Sequence, residues 1–541
     1  MNDIALLSDR TEHWTRLLTA IPSVTGSKDE AEFAGKFAAL LRQSPAFPTD
    51  GSVWTVEVAG GPHQRSCVLG LVRGESRRTI VLTGHFDVVE TSGYGELEPL
   101  AFDPDRLEPA LIERLSNEPF DPRSARALED LRSGDFIAAR GLLDMKAGLA
   151  AGLAVIELLA RQGTALSLLF IGVPDEEGNS AGARHMSQAL AGIAAERGLD
   201  IVAAINLDAS GDEGDGEGGR VIMLGSVGKV LPSALVIGRA THAADSFRGF
   251  GAAALAGALA AALEWHPELT ERTGGEIGAA PTLLGMKDSK LHYDVTTPAS
   301  VWMYWNVMTH RRSPEAVMRT VEETARRCAK TVNEALRERA AASSGPVTLG
   351  DIPVLRFEAL LAEVSRKDPT VGDQLRSLAD MLAGTDLNLP EQNRRLTEKL
   401  WELSGRAGPA IVLGFASIPY LPVELRDDAH ARKLHAAVLG AATSTAESFQ
   451  TTIGTIRYFP GISDVSFFGQ PDDAHVATIA ANTPAWRTVL AGAERFGAAG
   501  IPSINVGPWG RDYHTRLERM HKDYGFRVLP ALILEIVRRL A

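Results

Sequence analysis

Thr79-Ile-Val-Leu-Thr-Gly-His85-Phe-Asp87-Val-Val89 is an apolar run that stops at a glycine and then presents a histidine and an aspartate two residues apart. Ile80, Val81 and Leu82 are the bulky apolar residues that a strand covered on both faces requires, so the stretch reads as a buried parallel strand with a ligand at its carboxyl end. His85 offers one imidazole nitrogen to a metal, and Asp87 is expected to accept the N–H of the other, which fixes tautomer and ring direction. A lone His-x-Asp pair carries little information. Its weight comes from further acidic and histidine positions that follow the same grammar.

Working outward, Ala139-Arg-Gly-Leu-Leu-Asp144-Met-Lys-Ala-Gly148 leads into a helix over Leu149–Arg161. Ser167–Val173 reads as a second buried strand with Pro174-Asp-Glu176-Glu177-Gly178 at its end, and Asp200–Leu207 as a third that ends at Asp208. Strands alternating with helices indicate an α/β sheet, and in such sheets the ligand site lies outside the carboxyl ends of the strands. Upstream, residues 3–45 show helical spacing with an interruption at Pro22–Gly26, followed by strands at Val53–Val58 and Cys67–Val72. Residues 91–135 read as a long excursion with a short helical piece near Pro109–Leu115. The acidic, glycine-rich Gly211–Gly219 lacks the ligand alternation of a calcium loop and reads as a solvated flexible loop at a domain boundary.

From Val221 the pattern changes to a compact α+β insertion: a strand at 235–241 ending at His242, an alanine-rich helix over 251–264, strands near 282–286 and 301–309, and a helix over 314–341. Residues 350–408 are helical and charged, and 410–416 form a further strand. Alternating α/β order then returns, with a helix at 429–440, strands at 452–458 and 503–506, the segment Gly461–Asp464, a helix after Pro484, and Gly507-Pro-Trp-Gly-Arg-Asp-Tyr-His514. The expected organisation is a catalytic α/β domain over 1–220 and 425–541, with an inserted domain over 221–424 that carries a helical insertion at about 345–408.

At 541 residues the chain is too long for one core. The formal charge of −13 disfavours nucleic acid and anionic membrane as partners. Cys67 and Cys328 are the only cysteines, too few for a disulfide framework or a thiolate zinc site, so a metal here would be held by histidine and carboxylate. The N-terminal stretch lacks a basic segment followed by an apolar core, and the apolar runs of about a dozen residues are too short to span a bilayer. A cytoplasmic location is expected.

His85, Asp144, Glu177, Asp208 and His514 thus form a candidate set, with Glu176 beside it and Asp87 behind it. Each has a plainer reading. A Glu-Glu pair can be solvated surface, Asp144 can cap the following helix, Asp208 can face water, and His514 competes with His435, His475 and His521. Together, two histidines and three carboxylates suit a pair of divalent ions: one carboxylate bridges, and each ion takes one histidine and one further carboxylate. Such a pair can hold a water between its members and polarise a carbonyl. Glu176 would take the proton of that water and pass it to a leaving amine.

Gly84-His85-Phe-Asp87-Val-Val, Arg140-Gly-Leu-Leu-Asp144-Met-Lys-Ala-Gly148, Asp175-Glu176-Glu177-Gly, Asp208 and His514-x-x-x-Glu518 resemble the ordered signature of the M20 family of metallohydrolases. The resemblance implies a zinc-exopeptidase-like, mostly parallel sheet sandwiched by helices, with an inserted α+β lid domain. It implies Asp144 as the bridging ligand, His85 with Asp208 in one metal site, Glu177 with His514 in the other, Glu176 as general base, and a cis peptide after Asp144. Gly238-Arg-Ala-Thr-His242-Ala-Ala resembles the family's lid segment, whose histidine binds a substrate carboxylate or the tetrahedral oxyanion, in some relatives across a dimer. A homodimer through the lid is the partner this implies. Chain length, Tyr293-Asp-Val-Thr-Thr-Pro, Tyr304-Trp-Asn306 and the text around His514 are most similar to the RocB-type arginine-utilisation branch. The long segments 91–135 and 345–408 depart from the short family members, so no substrate carries over from those. The expected activity is hydrolysis of an amide bond in an N-acyl amino acid or small peptide, within amino-acid catabolism and specifically arginine degradation. Two divalent ions are expected, zinc first, with cobalt and manganese equally compatible with histidine and carboxylate ligation. The rival readings are a true di- or exopeptidase and a non-catalytic binding protein that keeps the fold.

Overall fold

The computed structural model describes residues 3–49, 51–60, 63–273, 276–343, 350–385, 387–469, 473–490, 496 and 499–541. The chain divides into two units, one formed by 1–226, 423–470 and 497–541, the other by 227–422 and 471–496.

The first unit is built on an eight-stranded sheet. Its strands are β1 (Val53–Val58), β2 (Arg65–Val72), β3 (Arg78–His85), β4 (Ser167–Val173), β5 (Asp200–Asn206), β6 (Val221–Met223), β7 (Gly454–Ile456) and β8 (Ser503–Asn505), in the order β1-β2-β4-β3-β5-β8-β6-β7. β4, β3, β5 and β8 run parallel in the middle; β1 and β2 are antiparallel additions at one edge. Ile80, Val81 and Leu82 are all fully buried, as residues of a strand with both faces covered must be.

The longer helices of this unit are α1 (Asp3–Thr19), α2 (Lys28–Gln43), α3 (Pro104–Asn117), α4 (Pro122–Ser133), α5 (Ala147–Gln162), α6 (Ala181–Arg197), α7 (Ala429–Phe449) and α8 (Leu529–Leu540). Leu18, Phe37, Leu153, Val438 and Ile533, from five of them, join Ile80 and Leu82 in one core. Two glycines permit close approaches that seat α5 on the sheet. A Cβ on Gly84 would lie 1.9 Å from Met145 Cε, and one on Gly148 would lie 1.9 Å from the carbonyl oxygen of Leu207.

Residues 91–135 are more ordered than the sequence suggests. α3 and α4 are each started by an aspartate cap, Asp103 and Asp121, followed by a proline in the first turn. With Tyr94 they form a core of their own, in which Leu107, Leu111 and Leu131 pack with Leu142, Leu143 and Met520. The helical signal was diluted because charged residues occupy most of the outer faces. Gly211–Gly219 is likewise tied down: the Asp212 carboxylate accepts the N–H groups of Gly214, Gly216 and Gly218. It is not a boundary between units, since β6 follows it in the same sheet and the crossing falls after Ser226.

The second unit has a sheet in the order Gly228–Val230, Ser300–Thr309, Pro232–Ile237, Ala410–Phe415, Val354–Arg356, with Thr282–Asp288 paired to Ser300–Thr309. Helices Ala252–Leu263 and Pro314–Ala342 share its core through Leu255, Leu259, Val317 and Val321. The start of the expected insertion, 345–349, lies outside the described residues. Beyond it, Val354–Arg356 joins the sheet in parallel and three helices follow, Phe357–Lys367, Val371–Ala383 and Leu389–Leu403. Residues 471–496, assigned from sequence to the last catalytic segment, belong to this second unit: Ile479 and Trp486 pack against its core. Both cysteines are free, and among the described residues no helix is long and apolar enough to cross a membrane.

Candidate metal centre

Three parallel strands end side by side. In the register, His85 of β3 pairs with Val173 of β4, and Thr83 with Asn206 of β5. His85 is therefore the last residue of its strand, Glu176 and Glu177 stand in the turn after β4, and Asp208 lies just past β5. Asp144 enters from the loop ahead of α5 and His514 from the C-terminal segment; the Asp144–Met145 peptide is cis, as expected.

The Asp144 carboxylate lies between two imidazoles. Its Oδ1 is 3.1 Å from His85 Nε2 and its Oδ2 is 3.1 Å from His514 Nε2. Each imidazole faces a second carboxylate: Asp208 Oδ1 stands 3.7 Å from His85 Nε2, and Glu177 Oε1 stands 2.9 Å from His514 Nε2. The result is two triads, His85–Asp144–Asp208 and Asp144–Glu177–His514, each with its donor atoms within 4.8 Å of one another. A third grouping, His85–Glu176–Glu177, brings Glu176 to the same place. The sequence reading separated these residues by hundreds of positions; the structure brings all of them together. Asp144 caps no helix, because its oxygens are turned to the imidazoles.

This donor set fits divalent cations. Asp144, Asp208 and Glu176 are buried, and among the described residues the ion-pair partners of Asp144, Asp208 and Glu177 are the two imidazoles. Buried carboxylates at this density need a cation, since unpaired charge in a dry site is costly. Oxygen and imidazole donors are the ligands that zinc, cobalt and manganese take. The electrostatics register the same crowding. Burial pushes Glu176 well above the usual carboxylate range and also raises Glu177 and Asp208. Burial opposes protonation of His514, yet hydrogen bonds with Asp144 and Glu177 lift it to about 10. Asp144 moves the other way: burial would raise it, but the two imidazoles hold it well below its ordinary value.

Asp87 differs from expectation. His85 Nδ1 faces the Asp87 backbone oxygen at 3.0 Å, whereas the carboxylate is 3.7 Å away. That carboxylate instead accepts the backbone N–H of Glu176 at 3.0 Å, the N–H of Glu177 at 3.2 Å and the Thr25 hydroxyl at 2.9 Å. It clamps the turn that carries the Glu pair. The backbone runs on past His85, bridged to Val173 through the Phe86 N–H and to Ser23 through the Val88 N–H, and it is the Asp87 main-chain oxygen that meets the ring.

Several buried groups escaped the sequence reading. Arg65 on β2 donates to Asp175, whose other oxygen accepts the Ala181 N–H at 3.1 Å, so the turn is held from behind as well. Arg140 donates to Glu518, whose other oxygen faces the Asp144 N–H at 3.5 Å, which ties the Asp144 loop to the His514 segment. Lys146 is fully buried, with Nζ donating to the Ile21 oxygen at 2.7 Å and lying 4.9 Å from the Phe33 ring. Asp464, also buried, adds to the negative field that raises Glu176. Arg140, Lys146 and Glu518 lie inside the motifs that resemble the M20 signature, and Asp464 ends the Gly461–Asp464 segment, though no role was read for any of them; Arg65 carries no local signal. His242 belongs to the second unit, is exposed, and its Nδ1 accepts the Ala244 N–H at 3.1 Å.

A buried cluster of carboxylate and imidazole at the carboxyl ends of an α/β sheet is the construction of a metallohydrolase. The sequence model described as Peptidase family M20/M25/M40 matches residues 81–494, and the chain belongs to that family. It is a hydrolase of the peptidase class, acting on amide bonds. The chain is 29% identical over 531 residues to the uncharacterized protein YqjN of Bacillus subtilis (strain 168), covering 96% of this chain and 94% of that one. It is 28% identical over 542 residues to Protein RocB of the same strain, with 97% and 94% covered. These likenesses over nearly the full length support the RocB-type branch. Among solved structures it is similar to a tripeptidase from Staphylococcus aureus, with TM-score 0.51, 16% identity and 98% of both chains covered. It is also similar to an M20 family metallo-carboxypeptidase, Sso-CP2, from Sulfolobus solfataricus, with TM-score 0.52, 10% identity and 98% and 99% covered. At such identities the solved structures show the fold alone.

Proposed function

We propose that this chain hydrolyses the amide bond of an N-acyl amino acid or short peptide, with two divalent cations held by the triads that share Asp144. The observation that carries this is the two-sided placement of the Asp144 carboxylate, one oxygen toward each imidazole. When bound, two divalent cations there supply Lewis acidity toward a carbonyl and lower the pKa of water. The remaining work belongs to the chain. Glu176 lies within the same cluster and is not needed to complete either Asp144 triad. Its carboxylate takes the proton of the attacking water and delivers it to the leaving amine. Asp87 keeps the Glu176–Glu177 backbone in register with β3, and Arg65 and Asp175 hold the same turn from the other side. Burial of the cluster keeps bulk water out, which strengthens each of these interactions.

His242 is assigned to binding of a substrate carboxylate or oxyanion, on the likeness of its segment to the family's lid motif. The homodimer through the second unit is supported by the edge strand Thr282–Asp288 and the loop after it, where Leu284, Met286, Leu291, Tyr293 and Val295 are exposed. Zinc is the proposed metal, and a place in arginine breakdown in the cytoplasm rests on the likeness to the RocB-type branch.

The test is metal analysis together with turnover of a panel of N-acyl amino acids, N-acylarginine included, beside di- and tripeptides, with zinc, cobalt or manganese added. The proposal expects about two metal ions per chain and faster cleavage of an acyl amino acid. Faster cleavage of peptides establishes the peptidase instead, and no turnover of any amide with any metal refutes catalysis. Glu176→Gln is expected to lower turnover by about 10²–10⁴-fold with metal content unchanged; full activity removes it as general base.

A further inference from the structure

Asp208 stands in a gap of the sheet's hydrogen-bond ladder. β5 and β8 pair through Asn206 and Asn505, and the Val506 N–H donates to the Asn206 oxygen at 2.8 Å. Main-chain pairing resumes at Ser210, whose N–H donates to the Pro508 oxygen at 2.9 Å. Between these rungs the N–H and C=O of Asp208 have no main-chain partner among the described residues.

The side chain of Asn505 serves both. Its Oδ1 accepts the Asp208 N–H at 3.1 Å, and its Nδ2 donates to the Asp208 main-chain oxygen at 2.8 Å. A main-chain N–H only donates and a main-chain oxygen only accepts, so this pair of bonds fixes which end of the amide is which. Its remaining capacity is used as well: Oδ1 also accepts from Asn206 Nδ2 at 3.0 Å, and Nδ2 lies 3.3 Å from the Met223 sulfur. Asn505 is 1% exposed and Asp208 5%. Gly507 adds a steric limit, since a Cβ there would lie 1.9 Å from the Asp208 oxygen. The backbone of Asp208 is thus gripped at both polar atoms, while its carboxylate faces His85 at 3.7 Å.

We propose that Asn505 is a positioning residue for the metal site of His85, Asp144 and Asp208. It sets where the Asp208 carboxylate stands, and the site of Glu177 and His514 does not depend on it. This rests on the two-cation reading above. Groups that hold a metal ligand from behind are worth about 10–100-fold in metal affinity.

Competition titration of the full chain with zinc against a chromophoric chelator tests this. Asn505→Leu should weaken one of the two ions by about 10–100-fold and leave the other within about twofold. Two backgrounds locate the loss. Added to Glu177→Gln, the substitution should weaken the ion held by His85, Asp144 and Asp208 by the same factor. Added to Asp208→Asn, it should leave the ion held by Asp144, Glu177 and His514 within about twofold. Asn505→Ser, which is smaller and admits water to the two vacated groups, replaces Asn505→Leu if the latter does not fold. Equal weakening in both backgrounds, the mark of a general loosening, overturns the proposal, as does unchanged affinity in Glu177→Gln. An unmodified chain that takes up no zinc refutes the metal reading itself, and the positioning role falls with it.

Discussion

Asp87→Asn separates two accounts of one residue. In the structure the carboxylate oxygens accept two different backbone N–H groups, those of Glu176 and Glu177, inside a fully buried site. An asparagine keeps one oxygen and turns an NH₂ group toward the other N–H, so one buried donor loses its partner and meets a second donor. Loss of a charge-assisted hydrogen bond that leaves a buried group unpaired costs about 2–3 kcal/mol. Expressed in the barrier at 1.36 kcal/mol per tenfold, that is about a 30- to 150-fold fall in kcat/KM. The assay is steady-state hydrolysis of the best substrate from the panel, with metal content measured on the same samples. The deficit should persist at saturating metal, because the fault lies in the placement of Glu176. Activity within twofold of the unmodified enzyme would refute the clamp. A deficit erased by added metal would show that Asp87 serves the His85 ring, as its spacing first suggested.

Gly148→Ala should destabilise the first unit by about 1–3 kcal/mol through overpacking, since its Cβ would meet the Leu207 oxygen at 1.9 Å; denaturant unfolding reads it, and an unchanged midpoint would contradict the close approach. Chelation should lower the thermal midpoint by removing the counter-charge from the buried carboxylates, with recovery on adding metal. At a metal concentration of 100 Kd the linkage is worth about 2.7 kcal/mol, and indifference to chelator would refute metal-coupled stability. His242→Ala should reduce kcat by about 10²-fold or more if it serves the oxyanion. Stability should hardly change, because its ring makes only the local bond to Ala244; an unchanged kcat returns it to the surface.

The five ligand candidates were legible because each stands where a strong local pattern ends. His85 and Asp208 terminate apolar strands, Glu177 follows one in the next turn, and Asp144 precedes an unmistakable helix. His514 was harder, since the strand near it is three residues long and no apolar run announces it. Which oxygen of Asp87 meets the imidazole depended on the turn carrying Glu176 and Glu177, whose N–H groups take the carboxylate, and residue spacing does not encode that partner. Arg65–Asp175 and Arg140–Glu518 are pairs distant in sequence and embedded in unrelated local patterns. Helices α3 and α4 were obscured by their charged outer faces, although Asp103-Pro104 and Asp121-Pro122 are readable starts in retrospect. The crossing after Ser226 and the return of 471–496 to the second unit reflect tertiary pairing: three-residue β6 is a strand because β7 and β8 flank it.

The order in which the donors occur along the chain bears on biosynthesis. His85, Asp144, Glu177 and Asp208 all precede residue 227, whereas His514 follows the whole second unit. Since chains emerge from the ribosome N-terminus first, the triad of His85, Asp144 and Asp208 has all its members translated while the other still lacks one. A nascent polypeptide nevertheless lacks β7, β8, α7 and α8 of the same unit until its last hundred or so residues are made, so the donors translated early are fixed in place only when the chain is nearly finished.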